Sequence, residues 1–228
     1  MIRPITIRRK RVVVDVDTQT DLFIADGAAC VRNHRRILAN VRRVVAWSRV
    51  KGMRMVSTAI GFEGRNGDYY CIDGTKGQQK VSYTLRNRRI SFVADGSTDL
   101  ARDVFLRYDQ VILHKRCEDP FKEPRAERIL TELCADEFIL IGGLAEGAVL
   151  ATALGLLCRG KRVTVVVDAV GTHDRGKANI ALRKMQAKGA KLIETRKMAG
   201  DSRVTRVGAC GCRQCTNANH RIKARIIA

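Results

Sequence analysis

Residues 138–174 read FILIGGLAEGAVLATALGLLCRGKRVTVVVDAVGTHD, and this stretch decides the fold. Phe138–Ile141 is a short apolar run with the character of a buried strand, Gly142 and Gly143 make a turn, and about Ala145 to Arg159 carries a helix. Val163–Val167 is a second buried strand, so the whole is one β-α-β crossover. Backbone N–H groups of Glu146 to Val149 point out of the helix start, where an anion or a developing oxyanion is stabilised. Open α/β sheets place their chemistry at such strand ends. The side chain delivered there, Ala148, is chemically inert.

Outward from this unit, strands and helices alternate through most of the chain. Arg11–Asp17 (RVVVDVD) is an apolar strand ending in acids, Met53–Thr58 a second, and Gln110–His114 a third that ends at Lys115. Lys191–Thr195 is a last short one, and residues 90–94 (ISFVA) an extended piece. Helices are expected from Asn33 or His34 to Val50, over Asp99–Arg107, over Pro124–Leu133 and over residues 175–188. The alternation predicts a Rossmann-like three-layer α/β/α sandwich around a mainly parallel sheet of about six strands. At 228 residues and 45% hydrophobic content the chain suits one large domain. Gly61–Gly77, with adjacent Tyr69 and Tyr70, is a glycine-rich loop of the length used for lids or subunit contacts.

The net charge of +20 is unevenly spread. Residues 1–11 and 196–228 together carry twelve of those charges, so the expected organisation is a basic arm (1–10), a domain (11–195) and a basic cysteine-rich tail (196–228). On the first long helix Arg35, Arg42 and Arg49 recur every seven residues beside Arg36 and Arg43. That stripe either follows a phosphate backbone or is a solvated face. In the tail, Cys210, Cys212, Cys215 and His220 form C-x-C-x2-C-x4-H, which is either a tetrahedral zinc site or an unstructured thiol cluster. Arg206, Arg213 and Arg221, with Lys223, lie among these ligands, so a zinc knuckle would present them to RNA or DNA. The tail has no aromatic residue, and such binding would be backbone-directed and salt-sensitive. No apolar run reaches the roughly 20 residues of a membrane span. The expected location is cytoplasmic, with the eight cysteines as thiols or metal ligands.

Four segments in order, DTQTDLF (17–23), DGTKGQQ (73–79), HKRCEDPF (114–121) and GGLAEGAVLATAL (142–154) followed by RVTVVVDAVG (162–171), resemble the isochorismatase-like, or cysteine hydrolase, superfamily over about residues 11–195. The resemblance implies a site of aspartate, lysine and cysteine, matched here by Asp17, Lys115 and Ala148. Gly143, Leu144, Gly147 and Ala148 then form the substrate or oxyanion site, and oligomers are common in the group. Read without the resemblance, Asp17 is either a carboxylate in the sheet crevice or a turn cap.

In the amidase members the carboxylate takes the thiol proton, the ammonium favours the thiolate, and helix-start N–H groups hold the oxyanion. Ala148 removes the thiolate, and Ala145 replaces the usual threonine three positions earlier. Cys117 is either a displaced nucleophile or a buried inert thiol. STAIGFEG (57–64) lacks the metal-site histidines of nicotinamidases. Isochorismatases that cleave vinyl ethers also have a small residue at the cysteine position, and in them the aspartate is a general acid. Asp17 would fill that role, with Lys115 holding a substrate carboxylate, although Ile60 stands where they carry glutamine. Two expectations follow: hydrolysis of a small anionic amide or enol ether by Asp17 and Lys115 without a cysteine, or a catalytically silent scaffold that binds nucleic acid or another polyanion through its basic tails.

Overall fold

The computed structural model describes residues 10–64 and 67–200. Its centre is a seven-stranded sheet formed by β1 (Arg11–Val16), β2 (Arg54–Ile60), β3 (Arg89–Phe92), β4 (Gln110–Lys115), β5 (Glu137–Gly142), β6 (Arg162–Val170) and β7 (Lys191–Ile193), in the order β3-β4-β2-β1-β5-β6-β7. Every neighbouring pair is parallel. The seventh strand beyond the six expected is β3: the extended ISFVA segment pairs with β4 and becomes the edge strand.

The sheet is covered on both faces. The helices are α1 (Thr20–Phe23), α2 (His34–Val50), α3 (Val104–Arg107), α4 (Pro124–Glu132), α5 (Ala148–Cys158), α6 (Arg175–Ala187) and α7 (Thr195–Ala199). Buried side chains of α4, α5 and α6 pack with Val12, Val14 and Val16 of β1 on one face. Those of α1 and α2 pack with Val13, Ile139 and Ile141 on the other. A parallel sheet buried on both faces explains why its strands read as continuous apolar runs.

Two helices are shorter than their sequence pattern predicts. The Asp99–Arg107 helix contracts to α3, because the Asp99 carbonyl accepts from Arg125 Nε (3.0 Å) instead of a helical N–H. The helix expected from Ala145 begins at Ala148. Ala145 N–H is drawn to the Gly171 carbonyl (2.8 Å), and Gly147 caps the helix with φ −118° and ψ −110°.

The exception to the apolar interior of β1 is Asp15, which is fully buried. Its Oδ2 meets Lys80 Nζ at 2.7 Å and accepts from Ser57 Oγ at 3.1 Å, while Thr18 Oγ1 donates to Oδ1. A buried carboxylate stripped of its cation costs about 3–5 kcal/mol, whereas an exposed i,i+4 pair such as Arg128–Glu132 is worth about 0.3–0.5 kcal/mol. Urea unfolding should therefore show Lys80→Ala losing several kcal/mol and Arg128→Ala little. Equal losses would mean that Asp15 is solvated.

Candidate active site

The chain leaves β1 toward β2 and leaves β5 toward β6, so the connections diverge at the C-terminal ends of β1 and β5. That divergence is the switch point at which open α/β sheets open a crevice. Asp17 follows β1 directly, Ala148 follows β5 through the Gly142–Gly147 turn, and Lys115 is the last residue of β4.

Asp17 has a positive φ of 45°, a region that aspartate tolerates better than most residues. Its N–H lies 3.2 Å from both the carbonyl and the Oγ1 of Thr58, which fixes this turn. The carboxylate is thereby swung over the ends of β2 and β4. Thr58 Oγ1 donates to Oδ1 at 2.7 Å, and Oδ2 pairs with Lys115 Nζ at 2.7 Å. Both residues are all but sealed from solvent, at 2% and 1% exposure. Lys115 Nζ also donates to the carbonyls of Cys117 (3.0 Å) and Glu118 (3.1 Å). All three ammonium donors are therefore engaged within the protein. None is left over for the substrate carboxylate that the enol-ether reading assigns to Lys115.

The turn after β5 sorts its backbone donors. Gly143 N–H donates to the Val16 carbonyl (2.8 Å), Gly147 N–H to Leu144 (3.1 Å) and Val149 N–H also to Leu144 (3.0 Å). Among the described residues no acceptor faces the N–H of Leu144, Glu146 or Ala148. Of the four positions expected to form the oxyanion site, Leu144 and Ala148 thus keep a free donor, and Gly143 and Gly147 do not. The Gly143–Leu144 peptide is cis, and Gly142 has φ 113°, where an added Cβ would overlap the Val16 carbonyl oxygen. Phe23 packs against Gly143 and Gly171 and fixes this turn against the end of β6. A Cβ on Gly147 would fall 2.5 Å from Glu118 Oε1, so an exposed carboxylate stands beside the helix start.

Neither candidate thiol replaces the missing nucleophile. Cys117 Sγ turns along its own loop to the Asp119 carbonyl at 3.4 Å. Cys71 is the thiol that feels the pair. Burial first, then the charges of Asp17 and Asp21, push its pKa far up, against the opposing pull of Lys115 and Lys80. A thiol so placed stays protonated. Tyr70 is raised to about 12 by burial and by Glu118, so its hydroxyl is a lasting donor at the same edge.

Sequence reasoning missed several contributors. Thr58 carries no motif, and Lys80 lies one residue beyond DGTKGQQ. Gln19 sits inside DTQTDLF; its side chain grips Ile60 N and O (2.9 and 2.7 Å), tying the turn after β1 to the end of β2. In the arginine stripe Arg49 donates to the carbonyls of Tyr83 and Leu85, Arg35 is half-buried, and Arg42 is exposed. Arg206, Arg213, Arg221, Cys210, Cys212, Cys215 and His220 lie outside the described residues. Among the described residues, no group of three or more His, Cys, Asp and Glu side chains gathers to hold a metal, and no helix is long and apolar enough to cross a membrane.

Known structures share this architecture. A pyrazinamidase of Pyrococcus horikoshii, solved in complex with zinc, is 23% identical with TM-score 0.64, covering 81% of this chain and 99% of that one. An N-carbamoylsarcosine amidase from Thermoplasma acidophilum is 21% identical with TM-score 0.62, covering 82% and 96%. A ribonuclease from Caenorhabditis elegans is 20% identical with TM-score 0.59, covering 94% and 90%. No curated protein sequence matches the chain. The isochorismatase domain matches residues 11–197, and with that match, the parallel sheet and the Asp17–Lys115 pair at its switch point, the chain belongs to the isochorismatase family.

Proposed function

We propose that the chain is an isochorismatase-like hydrolase in which water replaces the cysteine thiolate. The observations that carry this reading are the buried Asp17 carboxylate, ion-paired at 2.7 Å, after β1 and the free N–H groups of Leu144 and Ala148 after the neighbouring strand β5. Asp17 takes a proton from water as its oxygen adds to the substrate carbonyl, and the two N–H groups receive the developing oxyanion. The C–N bond then breaks, and the proton returns from Asp17 to the leaving amine. Lys115, with its donors already engaged, acts by holding Asp17.

The substrate class proposed is a small anionic amide or enol ether, whose anionic group is held elsewhere than by Lys115, since its donors are engaged. The Glu118 carboxylate beside Gly147 opposes a bare anion at the helix start, which favours a neutral carbonyl oxygen there. Amides are also the chemistry named for the similar amidases above. A cytoplasmic location and a homo-oligomeric state belong to the same proposal.

A second reading is a silent scaffold that binds nucleic acid through its basic tails. It is favoured by the twelve charges gathered at the two ends of the sequence, and one similar structure is named a ribonuclease. A sealed Asp17–Lys115 pair also serves as a purely structural ion pair. Zinc on Cys210, Cys212, Cys215 and His220 belongs to this reading, with Arg206, Arg213 and Arg221 facing the phosphates.

Hydrolysis of a panel of small amides, carbamoyl compounds and enol ethers by the unmodified chain, Asp17→Asn and Ala148→Cys separates the readings. The proposal expects turnover by the unmodified chain that drops roughly 10²–10⁴-fold in Asp17→Asn. Turnover by Ala148→Cys alone would contradict it, and silence in all three would favour the scaffold. Thiol labelling at pH 8 should modify exposed Cys134 and Cys158 rapidly and leave Cys71 unmodified until the protein unfolds. Prompt Cys71 labelling would return a thiolate to the site. For the tail, metal analysis of the full chain should find one zinc that is lost in Cys212→Ser; an equal metal content in the two proteins would remove the zinc knuckle.

A further inference from the structure

At the opposite end of the strands from Asp17 lies a groove of about 1340 Å³. It is bounded by the start of β1, the α2–β2 turn, the segment leading into α3 and the end of α4. β1 separates it from the candidate active site by roughly 20 Å, at about 3.3 Å per residue. Six of its lining side chains are cationic and one, Glu132, is anionic. Arg11, Arg54 and Arg128 are paired with Glu137, Asp109 and Glu132. Lys10, Lys51 and Arg102 carry no ion pair among the described residues.

The floor between these cations is apolar and includes half-buried Trp47 and Phe105, and Leu106 at the rim is 77% exposed. Three cations without ion pairs around a groove of this volume favour an anionic occupant. A second copy of a chain with net charge +20 would set like charges face to face. A small anion would leave most of the volume unfilled. What matches both features is a chain with regularly spaced negative charge and flat apolar faces that are free to turn inward.

We propose that this groove binds single-stranded nucleic acid, with Lys10, Lys51 and Arg102 on successive phosphates and bases stacked on Trp47 and Phe105. A duplex keeps its base faces paired and stacked, so it engages only the rim. The inference is independent of the hydrolase reading, since no residue of the groove belongs to the Asp17 site. It also differs from binding by the tails, because Lys51, Arg102, Trp47 and Phe105 belong to the folded domain and only Lys10 comes from the basic arm.

The test titrates the full chain with a single-stranded oligouridylate of about 20 nucleotides, a duplex of the same length and inorganic polyphosphate, at several salt concentrations. Trp47 is the sole tryptophan of the chain, so its fluorescence reports on the groove directly. The single strand should quench Trp47. The double variant Lys51→Glu/Arg102→Glu, both exposed positions, should bind at least about 10-fold more weakly and lower the slope of log affinity against log salt by about 1.4. Lys184→Glu/Lys188→Glu, at the end of α6 and just after it, carries the same charge change and should bind nearly as the unmodified chain does. The proposal is overturned if the single strand does not bind, or if it binds without changing Trp47 fluorescence. It is equally overturned if the two double variants weaken binding alike, or if duplex or polyphosphate competes as well as the single strand and quenches Trp47 equally.

Discussion

The ion pair between Asp17 and Lys115 is the constraint on which the arrangement around it rests. Two charges with 2% and 1% exposure persist in a folded protein only when every oxygen and every N–H finds a partner, and here they do. Thr58 holds one carboxylate oxygen, and the ammonium spends its other two donors on the carbonyls of Cys117 and Glu118. Meeting those demands fixes the ends of β1, β2 and β4 relative to one another and holds the loop after β4 against the start of α5. A second buried pair, Asp15–Lys80, lies one layer behind and shares Thr58: Lys80 Nζ donates to its carbonyl at 3.0 Å. The crevice is thus backed by two carboxylates and two ammonium groups, a nearly neutral set. Its charge pattern is built in before any substrate arrives.

On the proposed reading, in which Ala148 stands where the resemblance implies a cysteine, the backbone of the site is kept. The free N–H groups of Leu144 and Ala148 come from backbone geometry alone and do not depend on the side chain at 148. The proposal uses those two N–H groups as its oxyanion site and Asp17 as its proton acceptor. The thiols that remain nearby do not compensate: Cys117 points away, and Cys71 is held protonated by burial and neighbouring carboxylates. Water is the nucleophile that the proposal puts in the place of a thiolate. The basic groove at the other end of the sheet gives the molecule a second face with a different chemistry, joined to the first only through the rigid strands.

Much of this was legible in the residues. Apolar runs bounded by turns placed six of the seven strands, and β3 was read only as an extended piece, because an edge strand of four residues, half of them exposed, has little pattern to read. The early start assigned to α5 came from its apolar continuity; Gly147, at φ −118° and ψ −110°, interrupts the helical backbone just before Ala148. Asp17 and Lys115 were readable because both end apolar strands. Thr58, Gln19 and Lys80 were not, since their roles depend on which strand ends meet in space. The groove was hidden for the same reason: Lys10, Lys51 and Arg102 are scattered along the chain and converge only on folding.

The central claim, hydrolysis without a covalent protein intermediate, is tested most directly by intact-protein mass spectrometry during turnover in ¹⁸O-labelled water. The account predicts product carrying the label while the protein mass stays unchanged throughout the steady state. An acyl adduct on the protein that forms and decays with turnover would contradict it and would return the chemistry to a side-chain nucleophile.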